Sequence, residues 1–65
     1  MSKCVKVYLK AGNEIDIKCS TLTECKNTYE YILTAIEGNA LSITTGEYND
    51  IFIKCSDIIA VKIFW

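Results

Sequence analysis

The 65-residue sequence contains no arginine, histidine, proline or glutamine. Without arginine it lacks the side chain that grips guanine edges and phosphates through two parallel hydrogen bonds. Seven lysines stand against eight acidic residues, for a net charge of −1, so no global field draws the chain to DNA or RNA. Nucleic-acid binding is disfavoured and stays open only through local basic patches. Without histidine a cysteine nucleophile lacks its usual base, and a mixed Cys/His zinc site is excluded. No glycine run cradles a phosphate, and the carboxylates form no spaced pair with a supporting motif. These absences predict no catalytic residue, no metal site and no cofactor, and the chain is not expected to be an enzyme.

Long apolar runs are missing too. Met1-Ser2-Lys3-Cys4-Val5-Lys6 lacks the apolar core of a signal peptide. No stretch approaches the roughly 20 apolar residues that span a bilayer. A cytoplasmic location without membrane contact is the expectation. Cys4, Cys19, Cys25 and Cys55 contain no C-x-x-C spacing. In a cytosol they should stay reduced and act as small hydrophobes, with disulfides or a cysteine-only metal site as the alternatives.

What the chain has in plenty is apolar side chain: 51 % of residues, with a mean hydropathy of +0.21 in 7.3 kDa. One domain is the reading, since domains rarely fall below about 50 residues. Chains this small bury a smaller share of their surface, and their cores seldom supply more than roughly 3–5 kcal/mol unaided. The surplus favours a homo-oligomer or a bound protein partner.

Val5, Val7 and Leu9 alternate with Lys6, Tyr8 and Lys10, and Ile15, Ile17 and Cys19 alternate with Asp16 and Lys18, the period of half-buried strands. A three-residue loop at 11–13 pairs Leu9 with Ile15, Val7 with Ile17 and Val5 with Cys19, all on one face. That register sets Lys6 opposite Lys18, Tyr8 opposite Asp16 and Lys10 opposite Glu14. Like charges face to face are unfavourable, so Lys6 and Lys18 either await an anionic partner or splay into water.

Residues 20–28 are polar and read as a connection. For the stretch that follows, two readings compete. Tyr29 to Ile36 is rich in strand formers, and Gly38-Asn39 suits a two-residue hairpin turn pairing Ile36 with Leu41, Thr34 with Ile43 and Ile32 with Thr45. The same region places Leu22, Cys25, Tyr29, Ile32, Leu33 and Ile36 at helical spacing, with a capping box at Thr21 and Glu24 and a stop at Gly38. The strand reading is preferred, with a helix at about 22–37 packed on the sheet as the α+β alternative. As a strand, Tyr29, Tyr31 and Leu33 share a face away from the core and resemble an interface centre, unless the 20–28 connection covers them. Residues 45–50 read as a loop, Ile51–Cys55 as a strand, Ser56-Asp57 as a tight bend and Ile58–Trp65 as the last strand.

This order of elements, with Ile51-Phe52-Ile53 followed by Ser56-Asp57-Ile58-Ile59-Ala60-Val61, resembles the five-stranded Sm-like and SH3-like small barrels. Such a resemblance implies an all-β fold, a small barrel or curled antiparallel sheet. The loop residues and N-terminal helix of an Sm-type RNA site are not found, so no RNA-binding residue is carried over. The chain also resembles short proteins of phages and prophages in low-GC Gram-positive bacteria, through Val7-Tyr8-Leu9-Lys10-x-Gly12 and Asp57-Ile58-Ile59-Ala60-Val61. Abundant Ile, Lys, Asn and Tyr, encoded by A/T-rich codons, agree with such an origin.

The last eight residues carry one charge, Lys62, and end on Trp65. Exposed, they would form an aggregation-prone edge, so they should be buried either inside the protomer or against another chain, and Ile63, Phe64 and Trp65 are the expected oligomer contact. The functional expectation is a phage- or mobile-element-encoded interaction protein acting in the host cytoplasm. It would bind and inhibit a host protein such as a defence component, through Lys6, Tyr8, Lys18, Tyr29, Tyr31 and Leu33. The runner-up is an Sm-like nucleic-acid-binding module using Lys6, Lys18, Lys54 and nearby tyrosines. A small regulatory or structural subunit of a bacterial complex is the third option.

Overall fold

Strand β1 (Cys4–Leu9) lies between β2 (Glu14–Lys18) and β5 (Ile58–Phe64), antiparallel to both. The structure, a computed structural model, describes residues 3–46 and 48–65. Met1 and Ser2 of the N-terminal stretch, and Glu47 of the 45–50 loop, lie outside the described residues. Helix α1 (Leu22–Glu37) follows β2, and β3 (Ser42–Thr45) pairs antiparallel with β4 (Ile51–Lys54) in a separate two-stranded sheet. A short 3-10 turn at Cys55–Asp57 leads into β5. The bend and last strand therefore fall where the sequence places them. The strands expected at Val5–Leu9, Ile15–Cys19, Leu41–Thr45 and Ile51–Cys55 also form, with small changes of bounds. Residues 29–36, expected as a strand, are helical instead, and among the described residues the strands split into two sheets and form no closed barrel.

The helix prevails over the strand pair because its ends are satisfied and its spacing buries the right residues. Thr21 is extended, and its hydroxyl accepts the Glu24 N–H at 3.1 Å, while the Glu24 carboxylate accepts the Ser20 N–H at 3.4 Å. This is the capping arrangement that uses up otherwise unpaired donors of the first turn. At the other end Ala40 N–H donates to the Ala35 carbonyl and Asn39 N–H to that of Ile36, with Asn39 at φ 59°. Paired bonds around one left-handed residue make a Schellman closure. Gly38-Asn39 thus ends a helix where a hairpin turn was expected. Cys25 and Ile32, seven positions apart, point into the core. Tyr, Ile and Thr lose only a few tenths of a kcal/mol each in a helix, less than one good cap returns.

Ile43 accordingly pairs with Ile53, and Thr45 with Ile51, in place of the expected Thr34 and Ile32. The core gathers Val5, Val7 and Ile17 from the three-stranded sheet, Cys25 and Ile32 from α1, and Ile43 and Ile53 from the ribbon. It lies on one side of β2-β1-β5, with α1 packed against β1, β3 and β5.

The first hairpin forms on the expected faces with a shifted register. Val5 pairs with Ile17, Val7 with Ile15, Lys6 with Asp16 and Tyr8 with Glu14. The turn lies at Lys10–Gly12 in place of residues 11–13: Leu9 N–H donates to the Asn13 carbonyl at 2.8 Å, and Ala11 and Gly12 take positive φ of 68° and 82°. Sliding by two residues leaves every side chain on its face, so apolar alternation cannot choose between the registers. Charge can: this one sets Lys6 against Asp16 in place of Lys18.

In β5 the pairing passes from Tyr8–Ala60 to Leu9–Ile58, which leaves Ile59 as an inserted bulge residue. Ile58 turns toward the core and Ile59 is 65 % exposed. Alternation between the two faces is therefore broken at the start of β5.

Candidate functional site

The face of β2-β1-β5 opposite the core is the most distinctive surface. Its side chains form three cross-strand rows: Lys18–Cys4–Phe64, Asp16–Lys6–Lys62 and Glu14–Tyr8–Ala60. Phe64 is half-buried between two cations, with the Lys62 ammonium 4.9 Å and the Lys6 ammonium 5.3 Å from its ring centre. At the same end Lys3 stands 4.7 Å over the ring of Trp65, which is 43 % exposed. Cations at such distances are held by the negative ring face. Three of the seven lysines, Lys3, Lys6 and Lys62, thus converge on two aromatic rings at one end of the three-stranded sheet. Cys4, only 4 % exposed, sits opposite Phe64 yet outside the core cluster.

Lys6 carries the local electrostatics. Its ammonium lies 3.2 Å from Glu14 Oε1 and 3.6 Å from Asp16 Oδ1. The Glu14 hydrogen bond, with Asp16 beside it, holds the Lys6 pKa above its ordinary 10.5, and burial opposes the shift only in part. Any stabilisation from this cluster is present below that ordinary value and is lost as pH rises through the raised one. Lys6 is therefore already neutralised within the protein. Lys18 and Lys62 extend exposed on either side of the Cys4 and Lys6 rows.

The expected partner-binding residues divide into two groups. Lys6, Tyr8 and Lys18 share the open face as expected, with the corrected neighbours. Tyr29, Tyr31 and Leu33 do not form one row. On a helix, Tyr29 and Leu33 lie together one turn apart and are half-buried, while Tyr31 projects elsewhere and is exposed. Lys54 belongs to β4 in the other sheet, opposite Ser42. Of the expected oligomer contact, Ile63 turns to the core side and Phe64 to the open face. Lys3, Cys4, Ala60 and Lys62 were missed because β5 joins β1 from the far end of the sequence. The one available signal was the matching alternation Lys6-x-Tyr8 and Lys62-x-Phe64.

A hollow of about 340 Å³ opens between the end of β2, the first turns of α1 and the end of β3, lined by Lys18, Ser20, Glu24, Thr28, Thr45 and Gly46. Its one carboxylate, Glu24, accepts the Ser20 N–H through Oε1. Among the described residues no three or more Cys, Asp or Glu side chains gather closely enough to hold a metal ion, and no helix is long and apolar enough to cross a membrane.

All four cysteines are free thiols. Burial first, and then a hydrogen bond with Cys25, push the Cys19 thiol up to about 12. Cys19 Sγ–H donates to the Ile17 carbonyl at 3.5 Å. The thiolate is the reacting form, so iodoacetamide near pH 8.5 should alkylate Cys19 at least tenfold more slowly in the folded protein than in urea, by about the suppression a shift above one pKa unit implies. Peptide-resolved mass spectrometry gives the ratio, and equal rates would refute the shielding. The sign for stability follows from the same shift. Between about 9 and 12 the unfolded chain loses this proton first, so the contribution is intact below 9 and declines as pH rises.

Compared with protein-family models, with curated proteins and with solved structures, the chain matches none.

Proposed function

We propose that this chain is a non-enzymatic interaction module that docks the open face of its three-stranded sheet on an acidic protein surface. The observation that carries the reading is the set of lysines around Phe64 and Trp65. It combines aromatic area, in which interface centres are enriched, with cations free to pair across a contact. Acidic groups on a partner would meet Lys18 and Lys62, while apolar groups would cover Phe64 and Ala60. An origin in a phage or mobile element, expected from codon usage and resemblance, makes the partner a host protein whose activity the module inhibits.

Aromatic rings on a sheet beside lysines also suit stacked single-stranded bases. Glu14 and Asp16 on the same face argue against this, since they repel phosphates and occupy Lys6, and no arginine is available. A photo-crosslinking residue at position 62, compared with one at Lys26 on the helix, separates the readings in a low-GC Gram-positive lysate. A discrete protein adduct formed from position 62, insensitive to nuclease and abolished by Lys18→Glu, is expected. Nuclease-sensitive adducts would replace this reading with nucleic-acid binding. Equal adducts from both positions would remove the sheet face from consideration.

A further inference from the structure

Independently of that reading, we infer that the free edge of β5 pairs with β5 of a second copy, joining two three-stranded sheets into one six-stranded antiparallel sheet. Among the described residues there are four edge strands, and three of them are guarded. β2 carries a charge at three of its five positions, Glu14, Asp16 and Lys18. β3 and β4 are four residues each. Charge and shortness are the ways natural edges avoid pairing. β5 is seven residues long with a single charge. Its bulge at Ile59 leaves Ala60–Phe64 regular. Its core-facing Val61 and Ile63 stay half-exposed, whereas Val5 and Val7 beside them on β1 are fully buried, because nothing continues the sheet past β5.

The backbone bonds fix which groups are free. Leu9 N–H donates to the Asn13 carbonyl and Cys19 N–H to that of Lys3. Odd-numbered residues of β1 therefore bond to β2, and even-numbered ones turn to β5. On β5 the partners of those even positions are Ala60, Lys62 and Phe64. Val61 and Ile63 are left directing their N–H and C=O groups away from the sheet.

Two-fold antiparallel pairing through these residues has few registers. Centring on Lys62 sets the strand's only charge against itself, which is unfavourable. Centring on Val61 sets Val61 against its own copy and places Lys62 beside Ala60 of the other chain, twice by symmetry. Ala60 is exposed and offers only a methyl group there, so both lysine stems lie across it with their ammonium groups in water. The strand is self-complementary in that register.

The register makes a signed prediction at one exposed position. Ala60→Glu places a carboxylate opposite Lys62 of the other copy, twice, and should tighten the dimer about threefold to tenfold; Ala60→Lys should weaken it by a similar factor. Sedimentation from micromolar to millimolar concentration reads the dissociation constants. Hydrogen exchange in the wild type should show the Val61 and Ile63 amides slowing as concentration rises. A wild type with the mass of one protomer throughout overturns the inference, as do variants that move together or not at all. A dimer whose Val61 and Ile63 amides are unaffected overturns it too, because that dimer joins by another surface.

Discussion

Replacing Ile32 with Ala should leave most of the protein unfolded at 25 °C. Ile32 is the largest of the fully buried side chains, and it projects from α1 into the cluster formed by both sheets. Truncation of a buried Ile removes transfer energy and leaves a void, at roughly 2–5 kcal/mol. A core of this size seldom supplies more than roughly 3–5 kcal/mol, so the loss consumes most or all of the margin. No second layer of core exists to collapse into the gap. Helical ellipticity at 222 nm should fall with it, while Tyr31→Ala, one position earlier and exposed, should stay within about 0.5 kcal/mol of wild type. An Ile32→Ala protein with unchanged helicity and denaturation midpoint would show that α1 is not the element that joins the two sheets.

The double variant Phe64→Ala, Trp65→Ala should behave in the opposite way, keeping its fold and losing its partner. From the sequence alone both rings belong to a buried contact, where each truncation would cost about 3–5 kcal/mol. The structure puts Phe64 half-buried on the open face and leaves Trp65 exposed, both held by lysines. Cation–π contacts at exposed sites are worth about 0.5–1 kcal/mol each, so the loss of stability should remain near 1–2 kcal/mol. Aromatic anchors in a contact are worth 2 kcal/mol or more, so the partner captured through position 62 should bind at least thirtyfold more weakly. Chemical denaturation and crosslinking yield on the same samples test the two halves together. A variant that unfolds would return these rings to the core. One that binds unchanged would move the docking surface elsewhere.

These expectations differ from a purely sequential reading for identifiable reasons. Alternation at Val5–Leu9 and Ile15–Cys19 reveals two strands and their buried faces, because a period of two survives any neighbour. It does not reveal that Lys6 meets Asp16, since a shift by two residues preserves the pattern. The last two strands are legible at Ile51–Lys54 and Ile58–Phe64, yet the partner of β5 is not: nothing local to Lys62 or Phe64 says that β1 lies alongside. The helix was visible in Thr21, Glu24, Cys25 and Ile32, and the strand propensity of Tyr29–Ile36 outweighed it. A strand there also required an unstructured 20–28 connection with Cys25 in it, whereas α1 buries that cysteine completely. The end signals outweigh strand propensity here, because propensity depends on context in sheets above all. The open-face site was half legible, through Lys6, Tyr8 and Lys18. Its other half arrives only with β5.

The position of β1 between a near and a far neighbour has a consequence for the order of events as the chain folds. β2 reaches β1 through a short turn, and α1 can nucleate from its own caps. β5 must close a loop from Leu9 to Ile58 that encloses everything else, and long closures delay the rewards of the contacts they make. Until it docks, one side of β1 is a bare row of amide and carbonyl groups next to Val5 and Val7. A chain with only the first hairpin and the helix formed therefore carries an open edge beside its most buried valines. The strand that covers that edge in the folded protein is the last in the sequence.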